Sequence, residues 1–199
     1  MAPDDAPGVV SVHEEVEAAA LIANGAVLER HAHQMRLALP IPAYDDPEFH
    51  PFTADAEPPV PWTRALPAFL AAYPPDHPDH LPGTDDLIDS YLVRYTRGAE
   101  LGPLIHSASA IAMRGGYPYG GILIVDRPGE GPWVCDLWRD PAPDFSGTGA
   151  RMVRWAASRL AGYDTLGLVV TVGNDSAIRV YESVGFVRET TAWRLRLPD

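Results

Sequence analysis

The chain has 199 residues, 46% of them hydrophobic and 21% charged, proportions that suit one globular domain with an ordinary core. Its formal net charge of -12 excludes general binding to nucleic acid or to an anionic membrane, both of which need clustered Lys and Arg. Cys135 is the only cysteine, so no intrachain disulfide forms. No apolar run approaches the roughly 20 residues of a membrane helix, and the acidic, Pro-bearing start lacks the basic and apolar blocks of a signal peptide, so a cytoplasmic protein is expected.

Residues 1–10 read as a disordered tail, and residues 11–199 as a single domain. Over residues 13–39, Leu21, Gly25, Leu28, Ala32, Met35 and Leu39 are spaced by alternating four and three, which predicts an N-terminal helical extension with one apolar stripe. Asn24-Gly25 would divide it into two helices. The stripe packs on its own domain or, as the alternative, forms a homodimer contact. Residues 40–62, rich in Pro, Asp and Glu, predict an irregular excursion over the surface.

A short helix is expected over residues 62–73, with Leu66, Phe69 and Leu70 inward, then a turn-dense loop over 74–80 and another helix over 85–95. After Gly98 the period becomes strand-like. Apolar runs at 104–113, 119–126 and 133–139, separated by Gly115-Gly116 and a Pro-Gly turn at 128–131, predict an antiparallel meander. An amphipathic helix comes next over 148–160, with Met152, Trp155, Ala156 and Leu160 on one face and Arg151, Arg154 and Ser158 on the other. Residues 166–172 form a strand apolar on both faces, 176–184 a short helix, and 186–197 a last strand.

The chemistry concentrates in this last third. A helix start has unpaired N–H groups and a partial positive charge, so it suits an anion, and glycines at 147 and 149 let a bulky ligand approach the backbone. Ser146 and Thr148 add hydroxyl donors. No Lys follows the second glycine and a third is missing at Met152, so this is neither a Walker loop nor a dinucleotide fingerprint. Taken alone, the turn also fits a simple strand-to-helix connection.

The order strand, Pro141, Gly147-Thr148-Gly149, helix, strand, then Asn174, Ala177, Tyr181 and Gly185-Phe186 resembles the GCN5-related N-acetyltransferase superfamily over residues 104–197. The resemblance implies an α/β (α+β) fold with a central mixed, mostly antiparallel sheet flanked by helices. It also implies a splay between the strand ending at Arg139 and the strand 166–172. Acetyl-coenzyme A would be the cosubstrate, with no metal, and a small-molecule or peptide amine the acceptor.

Carried onto this sequence, the resemblance implies that Leu137, Trp138 and Arg139 offer main-chain groups to the pantetheine arm. The amides of Phe145, Ser146, Gly147, Thr148, Gly149 and Ala150 would face the pyrophosphate. Asn174 would cap its helix and contact the cofactor. The family's usual Arg or Gln three residues before the first glycine is Asp144 here, a charge that Arg151 or Arg139 would have to offset.

Tyr181 is the expected general acid toward the thiolate, since a phenol is protonated at neutral pH; as a bare residue it also fits a core tyrosine. Asp136 is a candidate base whose side chain, by strand alternation, points opposite to Cys135 and Leu137. His106 is a second candidate. Cys135 reads as a buried strand residue rather than a nucleophile, and His77 and His80 as loop residues on the acceptor side rather than metal ligands. The second functional reading is a non-catalytic acyl-coenzyme A sensor, motivated by Asp144 and the lack of a clear base.

Overall fold

The structure, a computed structural model, describes residues 8–80 and 86–198. Strands are numbered in chain order: β1 (Val9–Val12), β2 (Val27–Ala38), β3 (Phe49–Pro51), β4 (Ala110–Arg114), β5 (Tyr117–Arg127), β6 (Gly131–Arg139), β7 (Thr165–Thr171) and β8 (Val187–Arg196). They form one sheet in the order β1-β8-β2-β7-β6-β5-β4-β3. Every pairing is antiparallel except that of β6 with β7. This is the mixed, mostly antiparallel sheet that the family resemblance implies.

The helices are α1 (Glu15–Ala23), α2 (Trp62–Ala72), α3 (Val93–Thr96), α4 (Thr148–Ala157) and α5 (Asp175–Val184). A π-helical turn, Ile88–Leu92, leads into α3; residue 85 lies outside the described residues. Strand β5 shows why the sheet is covered on both sides: Ile122 and Ile124 pack with Met152, Trp155 and Ile178 of α4 and α5, while Leu123 between them packs with Trp62, Phe69 and Leu92. A strand buried on both faces needs a layer above and below, and the two helix groups supply them.

The N-terminal third departs from the expectation. Val9–Val12 is no tail but an edge strand on β8, and the Leu197 amide donates to the Gly8 carbonyl at 2.7 Å; residues 1–7 lie outside the described residues. The chain breaks at Asn24-Gly25 as the dipeptide suggests, but the segment beyond the break is strand β2, not a helix. Its spacing mimics a helix because it buries residues on both faces. Ala32 lies on one side and Met35 and Leu37 on the other, so apolar positions step by three. Met35 is wholly buried in the main core, so this part of the apolar set packs on its own domain, although as a strand rather than a helical stripe.

The excursion over 40–62 carries one short strand, β3, and is tied back to α4 through charge. Asp46, 6% exposed, accepts two hydrogen bonds from the Arg151 guanidinium, which also reaches Glu48. Glu48 in turn binds Arg114 and the Tyr119 hydroxyl, and the Arg114 guanidinium holds its carboxyl down at about 2. The network anchors the first turn of α4 from behind.

Candidate active site

The parallel ladder between β6 and β7 is only two pairs long, Trp133↔Gly167 and Val134↔Leu168. Beyond it the strands part, and the backbone groups of 135–139 and 169–171 that face each other across the gap have no ladder partner there. This is the splay that the family resemblance implies. A cavity of about 1040 Å³ fills the wedge.

Helix α4 aims its start into the wedge. Gly147 adopts φ 78° at its N-cap, a left-handed conformation that a side chain would strain. Ser146, Gly147, Gly149 and Ala150 line the cavity. Among the described residues no acceptor meets the amides of 147–150, and the first helical bond is Arg151 N–H to the Gly147 carbonyl. These are the orphan donors of a helix N-terminus. The amides of Phe145 and Ser146 are not available: they donate to the carbonyls of Ala142 and Pro143 in a 3₁₀ turn. Phe145 stacks on Tyr119, centroids 4.3 Å apart, outside the cavity lining, and the Thr148 side chain is fully buried.

Asp144 is exposed and does not line the cavity, and its carbonyl accepts from Arg114. Arg151 is not the compensating cation, being held by Asp46 and Glu48. Arg139 does line the cavity, as does Arg179 of α5, which sequence reasoning misses. A helix-periodic position before an inward Val180 is its only signal.

On α5, Asn174 caps as expected, its Oδ1 accepting from the Ala177 amide at 3.2 Å. Its Nδ2 donates to Asp79, which also accepts from the Thr171 hydroxyl at 2.5 Å. The 74–80 loop is thereby fastened to the end of β7 and the start of α5. Tyr181 is buried, packs its ring on Phe186 and lines the cavity, and its hydroxyl makes no hydrogen bond to a described residue. Burial, with the carboxylates of Asp136 and Asp79 nearby, pushes its pKa upward. The phenol therefore keeps its proton well beyond neutral pH.

Across the wedge stands Asp136. Strand β6 carries a bulge: Leu123 pairs with Asp136 and Ile124 with Val134, so Cys135 is the extra residue. The bulge overrides the expected alternation, and Cys135 and Asp136 both turn toward α2. Asp136 is 5% exposed; Tyr73, at the end of α2, donates to its Oδ1 at 2.5 Å, and Oδ2 has no partner. Burial raises its pKa to about 6 against the pull of the Tyr73 and Tyr91 hydroxyls. Burial likewise pushes the Cys135 thiol up, so it is a poor nucleophile.

His106 is not in a strand but in an exposed 3₁₀ turn away from the cavity. His77 and His80 belong to the loop, where the His77 ring accepts from the Asp79 amide and a His80 ring nitrogen lies 2.8 Å from the Tyr73 carbonyl. Among the described residues, no three His, Cys, Asp or Glu side chains converge as a metal site.

No family model matches the sequence, and none of the curated proteins does. Solved structures do match. A GCN5-related N-acetyltransferase from Sphaerobacter thermophilus superposes with TM-score 0.66 over 96% of this chain at 17% identity. The fold is that of the GCN5-related N-acetyltransferases. A protein of this family from Colwellia psychrerythraea (TM-score 0.56, 11% identity) and one from Kribbella flavida (0.52, 16%) also match over 96% of the chain. The chain spans about 60% of the Sphaerobacter structure, 64% of the Colwellia one and 68% of the Kribbella one. At these identities the GCN5-related likeness is one of fold, and the activity has to be argued from the wedge. No described helix is long and apolar enough to cross a membrane.

Proposed function

We propose that the protein is an acyl-coenzyme A-dependent N-acyltransferase that moves an acetyl group from acetyl-coenzyme A to a primary amine. The observation that carries this reading is the placement of Asp136 and Tyr181 in one wedge whose floor is the free amide start of α4. The wedge fits the cosubstrate: orphan amides suit a pyrophosphate, parted strand edges suit a chain of amides, and Arg139 and Arg179 supply cations.

Bound there, acetyl-coenzyme A supplies an activated carbonyl on a good leaving group. Asp136, ionised above about 6, accepts a proton from the attacking amine as the N–C bond forms. Tyr181 gives its proton to the sulfur as the C–S bond breaks, and the tyrosinate regains a proton from water in the open cavity. Asp136 releases its own to solvent, so protons balance. Fixing amine and thioester together supplies much of the rate gain.

The test is titration calorimetry with acetyl-coenzyme A, then coenzyme A release with a panel of amines. Binding by the wild type, its loss in Gly147→Glu, and release on adding an amine are the expected results; absence of binding sinks the reading. The chain contains no lysine, so acylation of its own side-chain amines adds no background. A non-catalytic sensor would bind without release, but the features that favour it are weaker: Asp144 does not line the cavity, and Asp136 offers a base.

A further inference from the structure

Tyr73, at the end of α2, and Tyr181, on α5, line the same cavity, but their hydroxyls are bonded in opposite ways. The Tyr181 hydroxyl makes no hydrogen bond to a described residue, so its proton is free to be given. Tyr73 has already committed its proton, to Asp136 Oδ1 at 2.5 Å. A hydroxyl has one proton to donate and two lone pairs that accept. Among the described residues nothing donates to the Tyr73 oxygen, and the Leu137 carbonyl, 3.4 Å away, is itself an acceptor. What remains on Tyr73 is therefore accepting capacity.

Asp136 offers the cavity little of its own carboxylate: the residue is 5% exposed, Oδ2 is closed to water, and Oδ1 is taken by Tyr73. The groups that act on it are the Tyr73 hydroxyl from α2, the Tyr91 hydroxyl from the π-helical turn, the Leu137 amide and Cys135 thiol of its own strand, Tyr181 of α5 and Asp79 of the 74–80 loop. Tyr73 is fixed by the Phe69 ring at 5.2 Å, by the His77 ring edge-on at 5.0 Å, and by a His80 ring nitrogen 2.8 Å from its carbonyl. A phenol buried beside a carboxylate resists becoming tyrosinate. It can take up a proton only by handing on its own in the same step.

We infer that Tyr73 is a catalytic residue of the transfer: its oxygen takes the proton of the attacking amine while its own proton passes to Asp136 Oδ1. This rests on the acyltransferase reading and adds to it the atom that meets the amine. As the N–C bond forms, an N–H bond breaks and its electron pair stays on nitrogen. The released proton bonds to the Tyr73 oxygen, and the Tyr73 proton moves to the carboxylate. The phenol is neutral before and after, and Asp136 ends protonated. A separation of 2.5 Å is that of a charge-assisted O–H···O contact, across which a proton has little distance to travel. Once the product leaves, the same path returns the proton to water in the cavity.

The experiment measures coenzyme A release from acetyl-coenzyme A with a saturating amine, across pH, in the wild type, Tyr73→Phe, Asp136→Asn and the double variant. Calorimetry with coenzyme A shows that each retains the cosubstrate site. If Tyr73 only positioned Asp136, Tyr73→Phe would recover its rate above a shifted acid limb. The relay instead predicts a plateau about 100-fold below the wild type, an unchanged KM for acetyl-coenzyme A, and a double variant no slower than Asp136→Asn, because residues that act as a unit do not add. A plateau loss in Tyr73→Phe under about tenfold, or single losses that multiply in the double variant, overturns the relay and leaves the acyltransferase reading standing. Single-turnover rates of the wild type in mixtures of H2O and D2O need no variant: two protons in motion bow the plot against deuterium fraction, and a straight or flat line overturns the relay. A wild type that binds no coenzyme A, or releases none with any amine, overturns the acyltransferase reading and the relay with it.

Discussion

The Tyr73 hydroxyl donates to Asp136 Oδ1 at 2.5 Å and leaves Oδ2 of the same carboxylate buried and unpartnered. The pull of the Tyr73 and Tyr91 hydroxyls and of the Leu137 amide orients the group but does not offset its loss of water, and its pKa rises to about 6. As the base, Asp136 must be ionised, so kcat/KM should fall about tenfold per pH unit below pH 6. A pH–rate profile in Asp136→Asn should lack this limb and run at least about 100-fold lower at its plateau. A limb unchanged in the variant assigns the base elsewhere.

The same group makes a prediction about stability. A carboxyl whose folded pKa is raised from 3.8 to about 6 binds protons more tightly when folded, so its ionisation costs stability as pH rises from about 4 to about 6. At neutral pH the cost is at most about 3 kcal/mol, and Asp136→Asn, which can still accept from Tyr73, should raise Tm at pH 7 but not at pH 4. Thermal unfolding at the two values checks this.

Tyr73→Phe removes the donor that holds the Asp136 carboxyl down. Its acid limb should move to higher pH, with acetyl-coenzyme A affinity unchanged because Tyr73 stands on the other side of the cavity from α4. A fixed limb in this variant would show that the hydrogen bond does not set the titration.

In Tyr181→Phe the ring contact with Phe186 is preserved and only the proton donor is lost. Turnover should drop by about 100-fold with little change in the KM for acetyl-coenzyme A. Because burial pushes this phenol upward, no alkaline limb from it should appear below about pH 10 in the wild type. Wild-type turnover in the variant would leave Tyr181 a packing residue.

The C-terminal half is legible in the sequence because each of its elements carries its own local signal. Gly147 has a positive φ, Asn174 caps, and the apolar run of β7 is buried, so period and cap residues point to the same structure. Strand β2 is not legible, because burial on both faces replaces a period of two with steps of three and four. Asp136 is visible as a residue, but its direction depends on a bulge at Cys135 that no residue type announces. The 74–80 loop is expected on the acceptor side, but the pairings that Tyr73 makes with Asp136 and Asp79 with Thr171, separated by 63 and 92 residues, are not legible. Pairings of that length leave no pattern in a single sequence.

The excursion over 40–62 holds α4 in place, and that role is testable. Asp46 is 5% exposed in its side chain and Arg151 31%, so the pair is half-sheltered rather than buried. Asp46→Ala leaves Arg151 with Glu48 as a second partner at 3.1 Å, which limits the damage. The expected loss is about 2 kcal/mol, below the roughly 3–5 kcal/mol of a fully buried pair. Since the guanidinium projects from the first turn of α4, the affinity for coenzyme A should weaken as well, while Asp45→Ala, at an exposed pairing with Arg159, should change neither quantity. Urea unfolding and calorimetry on the two variants separate the outcomes: equal behaviour of Asp46→Ala and Asp45→Ala would show that the excursion does not position the helix.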